Sequence, residues 1–125
     1  MTPEMREVMA ALRGKRFPLE DEKRCQEDIE KALRDFYVGR LISFKREVKL
    51  GPGDVVDFMV GLGWKGTAVE VKLKGQPEAI RRQLRRYAGL DQVEGLILVT
   101  AKPVGVVGLM NGKPVAEFDL SRAWL

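Results

Sequence analysis

Apolar residues recur along this chain with two different periods, and the switches between them outline an α/β protein. Met5, Val8, Met9 and Leu12 fall at helical spacing and predict a short amphipathic helix over Pro3–Leu12, ended by Gly14. Cys25, Ile29, Ala32, Leu33 and Phe36 form a second apolar stripe among charges, which predicts a longer helix from about residue 20 to 36 with its exit at Gly39. From residue 41 to 50 the period falls to two. Ile42, Phe44, Arg46, Val48 and Leu50 are expected on one face of a strand, with Lys45, Glu47 and Lys49 on a solvated one. Gly51-Pro52-Gly53 signals a turn, and residues 54–60 beyond it are apolar on both faces except for Asp54 and Asp57, so they read as a buried strand.

Gly61-Leu62-Gly63-Trp64-Lys65-Gly66 is a glycine-rich reversal into a strand over 67–74, where Val69, Val71 and Leu73 alternate with Ala68, Glu70, Lys72 and Lys74. Pro77 suits the first turn of a helix that runs to Tyr87 or to a cap at Gly89. Residues 95–100 are a short strand. Residues 104–110 and 115–120 flank Asn111-Gly112, a pair that favours the tight turn of a hairpin. The order is helix, three strands, helix, strand, then a C-terminal hairpin, with a crossover helix between strands that would be parallel. That order predicts a central mixed sheet flanked by helices. With 125 residues the chain suits one domain: a core over about 20–100, an N-terminal helix within 1–14 and a hairpin extension over 103–125.

Composition narrows the chemistry. One cysteine and no histidine exclude an internal disulfide, the usual zinc clusters and histidine-dependent catalysis. Twenty-two basic against 18 acidic residues leave a formal charge of +4, a modest excess that suits a polyanionic partner. Glu4, Arg6, Glu7 and Arg13 interrupt the first 14 residues, and Lys102 and Pro103 break the apolar region 96–110. No secretion signal and no membrane span are therefore expected, and the protein reads as cytoplasmic. Neither a nucleotide-binding glycine fingerprint nor a nucleophile-and-base pair is evident.

Asp57 interrupts the apolar run 55–60, where an ionised carboxylate is costly unless a metal or a cation compensates it. Glu70 and Lys72 are two residues apart on a strand, so their side chains leave the same face. If the reversal pairs the two strands, Asp57 approaches Glu70 and places two carboxylates and an ammonium around one point. Oxygen ligands of this kind favour Mg²⁺ or Mn²⁺. Such an ion would hold a phosphate oxygen and acidify a bound water that Lys72 helps to orient.

Gly53-Asp54-Val55-Val56-Asp57-Phe58 followed by Ala68-Val69-Glu70-Val71-Lys72 resembles the signature of the PD-(D/E)XK nuclease superfamily, an acid on one strand and Glu-X-Lys on the next. The resemblance spans roughly residues 20–100 and implies a restriction-endonuclease-like core that cuts DNA. It implies metal binding by Asp57, Glu70 and the backbone carbonyl of Val71, with Lys72 as the catalytic lysine. In this superfamily the first core helix often supplies a glutamate to the site. Glu27 in Gln26-Glu27-Asp28-Ile29 resembles that position, with Glu30 as its competitor. Gln83-Leu84-Arg85-Arg86-Tyr87 resembles the Gln-X-X-X-Tyr motif of RecB-type members, which would turn Gln83 and Tyr87 toward the site or the DNA backbone. Val56-Asp57 replaces the usual Pro-Asp pair. Asp54 is a second candidate acid, but it directly follows Gly-Pro-Gly and suits the turn, so Asp57 is preferred.

Arg81, Arg82, Arg85 and Arg86 on the same helix form a candidate phosphate track, against the alternative of a solvated charged face. Trp64 in the reversal either stacks on a base or covers the sheet edge. Phe118, Leu120, Trp124 and Leu125 form a candidate contact surface, compatible with a homodimer or a larger protein complex. The competing reading is a nucleic-acid-binding or assembly protein that keeps this fold without cleaving.

Overall fold

The computed structural model describes residues 1–63 and 65–125. Capping side chains set the first two helices: Thr2 accepts from the Met5 amide at 3.1 Å and Asp21 from the Arg24 amide at 3.2 Å. These open α1 (Pro3–Leu12) and α2 (Glu22–Tyr37). Strands β1 (Ser43–Gly51), β2 (Asp54–Gly61) and β3 (Gly66–Lys72), helix α3 (Pro77–Ala88) and strand β4 (Val93–Thr100) follow. The chain closes with β5 (Gly108–Met110), β6 (Lys113–Asp119) and a 3-10 turn over Leu120–Arg122.

The fold is α/β, a mixed six-stranded sheet in the order β1-β2-β3-β4-β6-β5. β1, β2 and β3 are antiparallel, while α3 crosses over to set β4 parallel to β3, as the element order predicts. β6 runs parallel to β4 and carries β5 as an antiparallel edge. Met110 pairs with Lys113, so Asn111 and Gly112 form a two-residue turn, with φ of 50° and 75°. Both values are left-handed, which is why this dipeptide suits the position.

Alternation along the strands buries both faces. Val69, Val71, Ile97, Val99 and Phe118 pack under α1 and α2 against Met5, Leu12, Ile29 and Leu33. Ala68, Leu96, Leu98 and Val115 pack under α3 against Ile80, Leu84 and Tyr87. Each fully buried large side chain contributes about 2 kcal/mol, so the two layers clamp the central strands from both sides. Cys25 is fully buried in the first layer, and burial pushes its thiol up to about 12, which leaves it inert.

Three expectations need correction. The face predicted for β1 does not run its full length: Ile42 and Phe44 pack with the α1–α2 layer, whereas Val48 and Leu50 pack with the α3 layer. Glu47, at φ 55°, lies between them, and a left-handed residue within a strand resets its alternation. Residues 104–106 do not extend β5, because their amides donate to the Glu117 carboxylate at 2.7 to 3.0 Å instead of joining a ladder. Phe118 and Leu120 are core residues, so only Trp124 and Leu125 of the expected contact surface are exposed, with the Arg16 guanidinium 4.4 Å from the Trp124 ring. Trp64 lies outside the described residues. Among the described residues, no helix is long and apolar enough to cross a membrane.

Candidate metal centre

β2 and β3 pair through Val60↔Thr67, Met59↔Ala68 and Phe58↔Val69, and there the ladder stops. The next opposed positions are Asp57 and Glu70, whose side chains take the place of the missing backbone bonds. The Val71 amide donates to Asp57 Oδ2 at 2.7 Å, and the Asp57 amide donates to Glu70 Oε1 at 3.3 Å. Each carboxylate thus satisfies the backbone of the opposite strand, and the strands part into a wedge. A strand residue's N–H and C=O leave along the same edge, so the Val71 carbonyl also faces this wedge.

The kink in the β1–β2 hairpin aims Asp57. The registered pairs Arg46↔Phe58 and Val48↔Val56 place Asp57 opposite Glu47, the left-handed residue. Past that point Val56 joins the α3 layer while Phe58 stays in the other, and the end of β2 curls toward α3. There the Tyr87 hydroxyl donates to the Val55 carbonyl at 3.2 Å and accepts from Gln83 Nε2 at 2.9 Å, while Arg86 pairs with Asp54 at 3.1 Å. Gln83 and Tyr87 therefore brace the diverging strand two residues from Asp57. Tyr87 is fully buried, and its hydroxyl is engaged by Val55 and Gln83. Asp54 is committed to Arg86, which leaves Asp57 as the acid facing Glu70.

Burial and charge set the electrostatics. Glu70 is 3% exposed, and its carboxyl is pushed up from 4.5 to about 7, first by burial and then by the Asp57 charge, against the pull of Lys72. Lys72 Nζ lies 3.4 Å from Glu70 Oε2. Asp57 is also raised. Burial is the largest cause and Glu22 adds to it, whereas the Val71 amide, Lys72 and Arg46 oppose it. Glu70 is buried and Asp57 half-buried, and in both the cost of burial outweighs the nearby cations, so a proton or a bound cation would stabilise the pair.

The donor set fits a hard divalent cation: two carboxylates and a carbonyl on one opening are the partial oxygen shell that Mg²⁺ takes when it keeps several waters. Among the described residues, no group of three or more carboxylate, thiol or imidazole side chains converges to hold a metal. Such an ion would therefore rely on water or substrate oxygens for its remaining positions.

The expected helix glutamate is not brought to this pair. Glu27 is exposed, and Glu30 is bound by Arg46 at 2.8 Å and by Arg34 at 3.1 Å. Glu22 is the acid of α2 that acts on Asp57, and it also accepts from the Leu73 amide at 3.2 Å, just past β3. Arg46, which reaches Glu30 and Gln26, is a second cation acting on Asp57. A signal for Arg46 was present, since it shares the inward face of β1 with Ile42 and Phe44 and needs acceptors from α2, whereas none pointed to Glu22. Of the four arginines on α3, Arg81 is held by Glu78 and the Val104 carbonyl and Arg86 by Asp54. Arg82 and Arg85 are exposed, with no partner among the described residues.

No curated protein and no solved structure matches the chain. One family matches residues 4–102, a span that includes every residue of the wedge, and its description names no activity; the chain belongs to that family, the domain of unknown function DUF8371.

Proposed function

We propose that this chain is a metal-dependent nuclease of the PD-(D/E)XK type that hydrolyses phosphodiester bonds in DNA. The observation that carries the proposal is the wedge between β2 and β3, where Asp57 and Glu70 replace ladder hydrogen bonds beside Lys72. In this reading Asp57, Glu70 and the Val71 carbonyl hold Mg²⁺ or Mn²⁺. When bound, the ion would neutralise the pair, polarise a phosphate oxygen and acidify a water.

The chain's own residues do the rest. Glu70 and Asp57 stay fixed because each accepts a backbone amide from the opposite strand. Lys72, partly exposed at the mouth, donates to the attacking water or to a phosphoryl oxygen as negative charge develops. Tyr87 and Gln83 keep β2 parted from β3. Arg82 and Arg85 are free to meet backbone phosphates, a contact that weakens with salt.

Calorimetric titration with Mn²⁺ tests the centre. Wild type binds about one ion, and both Asp57→Asn and Glu70→Gln abolish binding, if the reading holds. Absence of binding to wild type contradicts it. One observation favours a second reading, a DNA-binding or assembly protein that does not cleave: among the described residues, no third acid joins Asp57 and Glu70 in a group that could hold a metal. DNA binding without Mn²⁺ uptake would select that reading.

A further inference from the structure

A cleft of about 310 Å³ opens directly beside Lys72, lined by Lys74, Lys102, Leu73, Ile80 and Val104 among others, with no acidic residue in its wall. The cavity between the α1–α2 connection and α2 differs, since Asp28 and Asp35 offset two of its three cations, Lys15, Arg16 and Lys31. Lys72 belongs to both places: its ammonium touches Glu70, and its chain forms one side of the cleft. We infer that this cleft is a second phosphate-binding subsite, which takes the nucleotide next to the scissile phosphate of a nucleic-acid strand.

The inference rests on the nuclease reading and specifies where the strand leaves the metal centre. Lys74 and Lys102 supply charge, while Leu73, Ile80 and Val104 offer an apolar surface for a sugar or a base.

Two features present the cleft as a fixed surface. The segment carrying Lys102 and Pro103 is pinned by Glu117, which accepts from the amides of Val104, Gly105 and Val106 and from the Thr100 hydroxyl. Arg81, reaching the Val104 carbonyl, ties the same segment to α3. On the opposite wall, α3 begins at Gln76 with no side-chain cap, so the amides of its first turn add a positive end beside Pro77. Glu78 in that turn is engaged by Arg81 at 2.9 Å.

The test is fluorescence anisotropy with a labelled single-stranded oligonucleotide, in chelator and over a series of KCl concentrations. It compares wild type, Lys74→Ala/Lys102→Ala, Lys74→Arg/Lys102→Arg and the distant control Lys15→Ala/Lys31→Ala. The double alanine variant should lose about tenfold in affinity. It should also flatten the slope of log affinity against log salt by about 1.4, roughly 0.7 for each lost single-strand contact. The double arginine variant should restore both, and the control should match wild type. Wild-type affinity and slope in the double alanine variant, or no binding by wild type, would overturn the inference. The Mn²⁺-induced rise in wild-type melting temperature, measured in parallel, reports on the metal centre alone, so failure of the centre and failure of the cleft give different results.

Discussion

Replacing Glu70 by Gln should make the metal-free protein more stable. In the fold this carboxyl ionises near pH 7, against 4.5 for an ordinary glutamate, because burial and Asp57 both oppose its charge. A carboxyl with a raised folded-state pKa binds more protons folded than unfolded between those values. Its contribution to stability is therefore complete below about 4.5, declines as pH rises to about 7, and is constant above. At about 1.4 kcal/mol for each pH unit between about 4.5 and about 7, roughly 3–4 kcal/mol is lost at alkaline pH. Gln removes that charge and still offers an oxygen to the Asp57 amide, and the pull of Lys72 on the carboxylate is already contained in the raised value. The gain at about pH 8 is roughly 3–4 kcal/mol, or about 10–15 °C in melting temperature for a domain of this size. The assay is thermal or urea unfolding in chelator at about pH 5 and pH 8, repeated with Mn²⁺. The variant's advantage should shrink at the lower pH. Added Mn²⁺ should raise the wild type and leave Glu70→Gln unmoved, because a ligand that binds only the native state stabilises it. A variant less stable than wild type in chelator at about pH 8, or a difference independent of pH, would refute the electrostatic reasoning.

Other substitutions probe the framework around the pair. Tyr87→Phe deletes the hydroxyl that links Gln83 to the Val55 carbonyl; it should cost about 1–2 kcal/mol and weaken Mn²⁺ binding, which unfolding and calorimetry on one sample can check. Glu47→Gly relieves a left-handed conformation and should leave stability equal or improved by up to about 1 kcal/mol, whereas Glu47→Val should destabilise the hairpin and lower Mn²⁺ affinity together. Glu27→Ala should leave Mn²⁺ affinity at the wild-type value, while Glu22→Gln should change it through the charge felt by Asp57; equal effects of the two would contradict the placement of α2.

The elements of the fold were legible where pattern and turn chemistry agreed. The stripe of Cys25, Ile29 and Leu33, the alternation through Val69 and Val71, and Asn111-Gly112 each admit essentially one local structure, and the crossover helix sets β4 beside β3, whereas the parallel placement of β6 beside β4 was not legible. Asp57 and Glu70 stood out because a carboxylate in an apolar strand demands compensation. What stayed hidden depends on departures from regularity. The alternation of β1 resets at Glu47, a residue with no intrinsic preference for left-handed backbone, and tertiary packing imposes it. Gln83 and Tyr87 share a helix face as the spacing predicts, but Gln83 donates to Tyr87 and Tyr87 to the Val55 carbonyl, on the part of β2 that has left β3. Glu22, Glu27 and Glu30 all sit among charges on one helix. Their roles separate only once Arg46 and the Leu73 amide claim Glu30 and Glu22.

The central claim is tested most directly by incubating labelled single-stranded, double-stranded and branched DNA with the protein in Mg²⁺, Mn²⁺ or chelator, beside Asp57→Ala, Glu70→Ala and Lys72→Ala. Cleavage should require the metal and be lost in all three variants, with each variant still folded by its melting curve. Intact DNA under every condition, or cleavage that survives these substitutions, would contradict it.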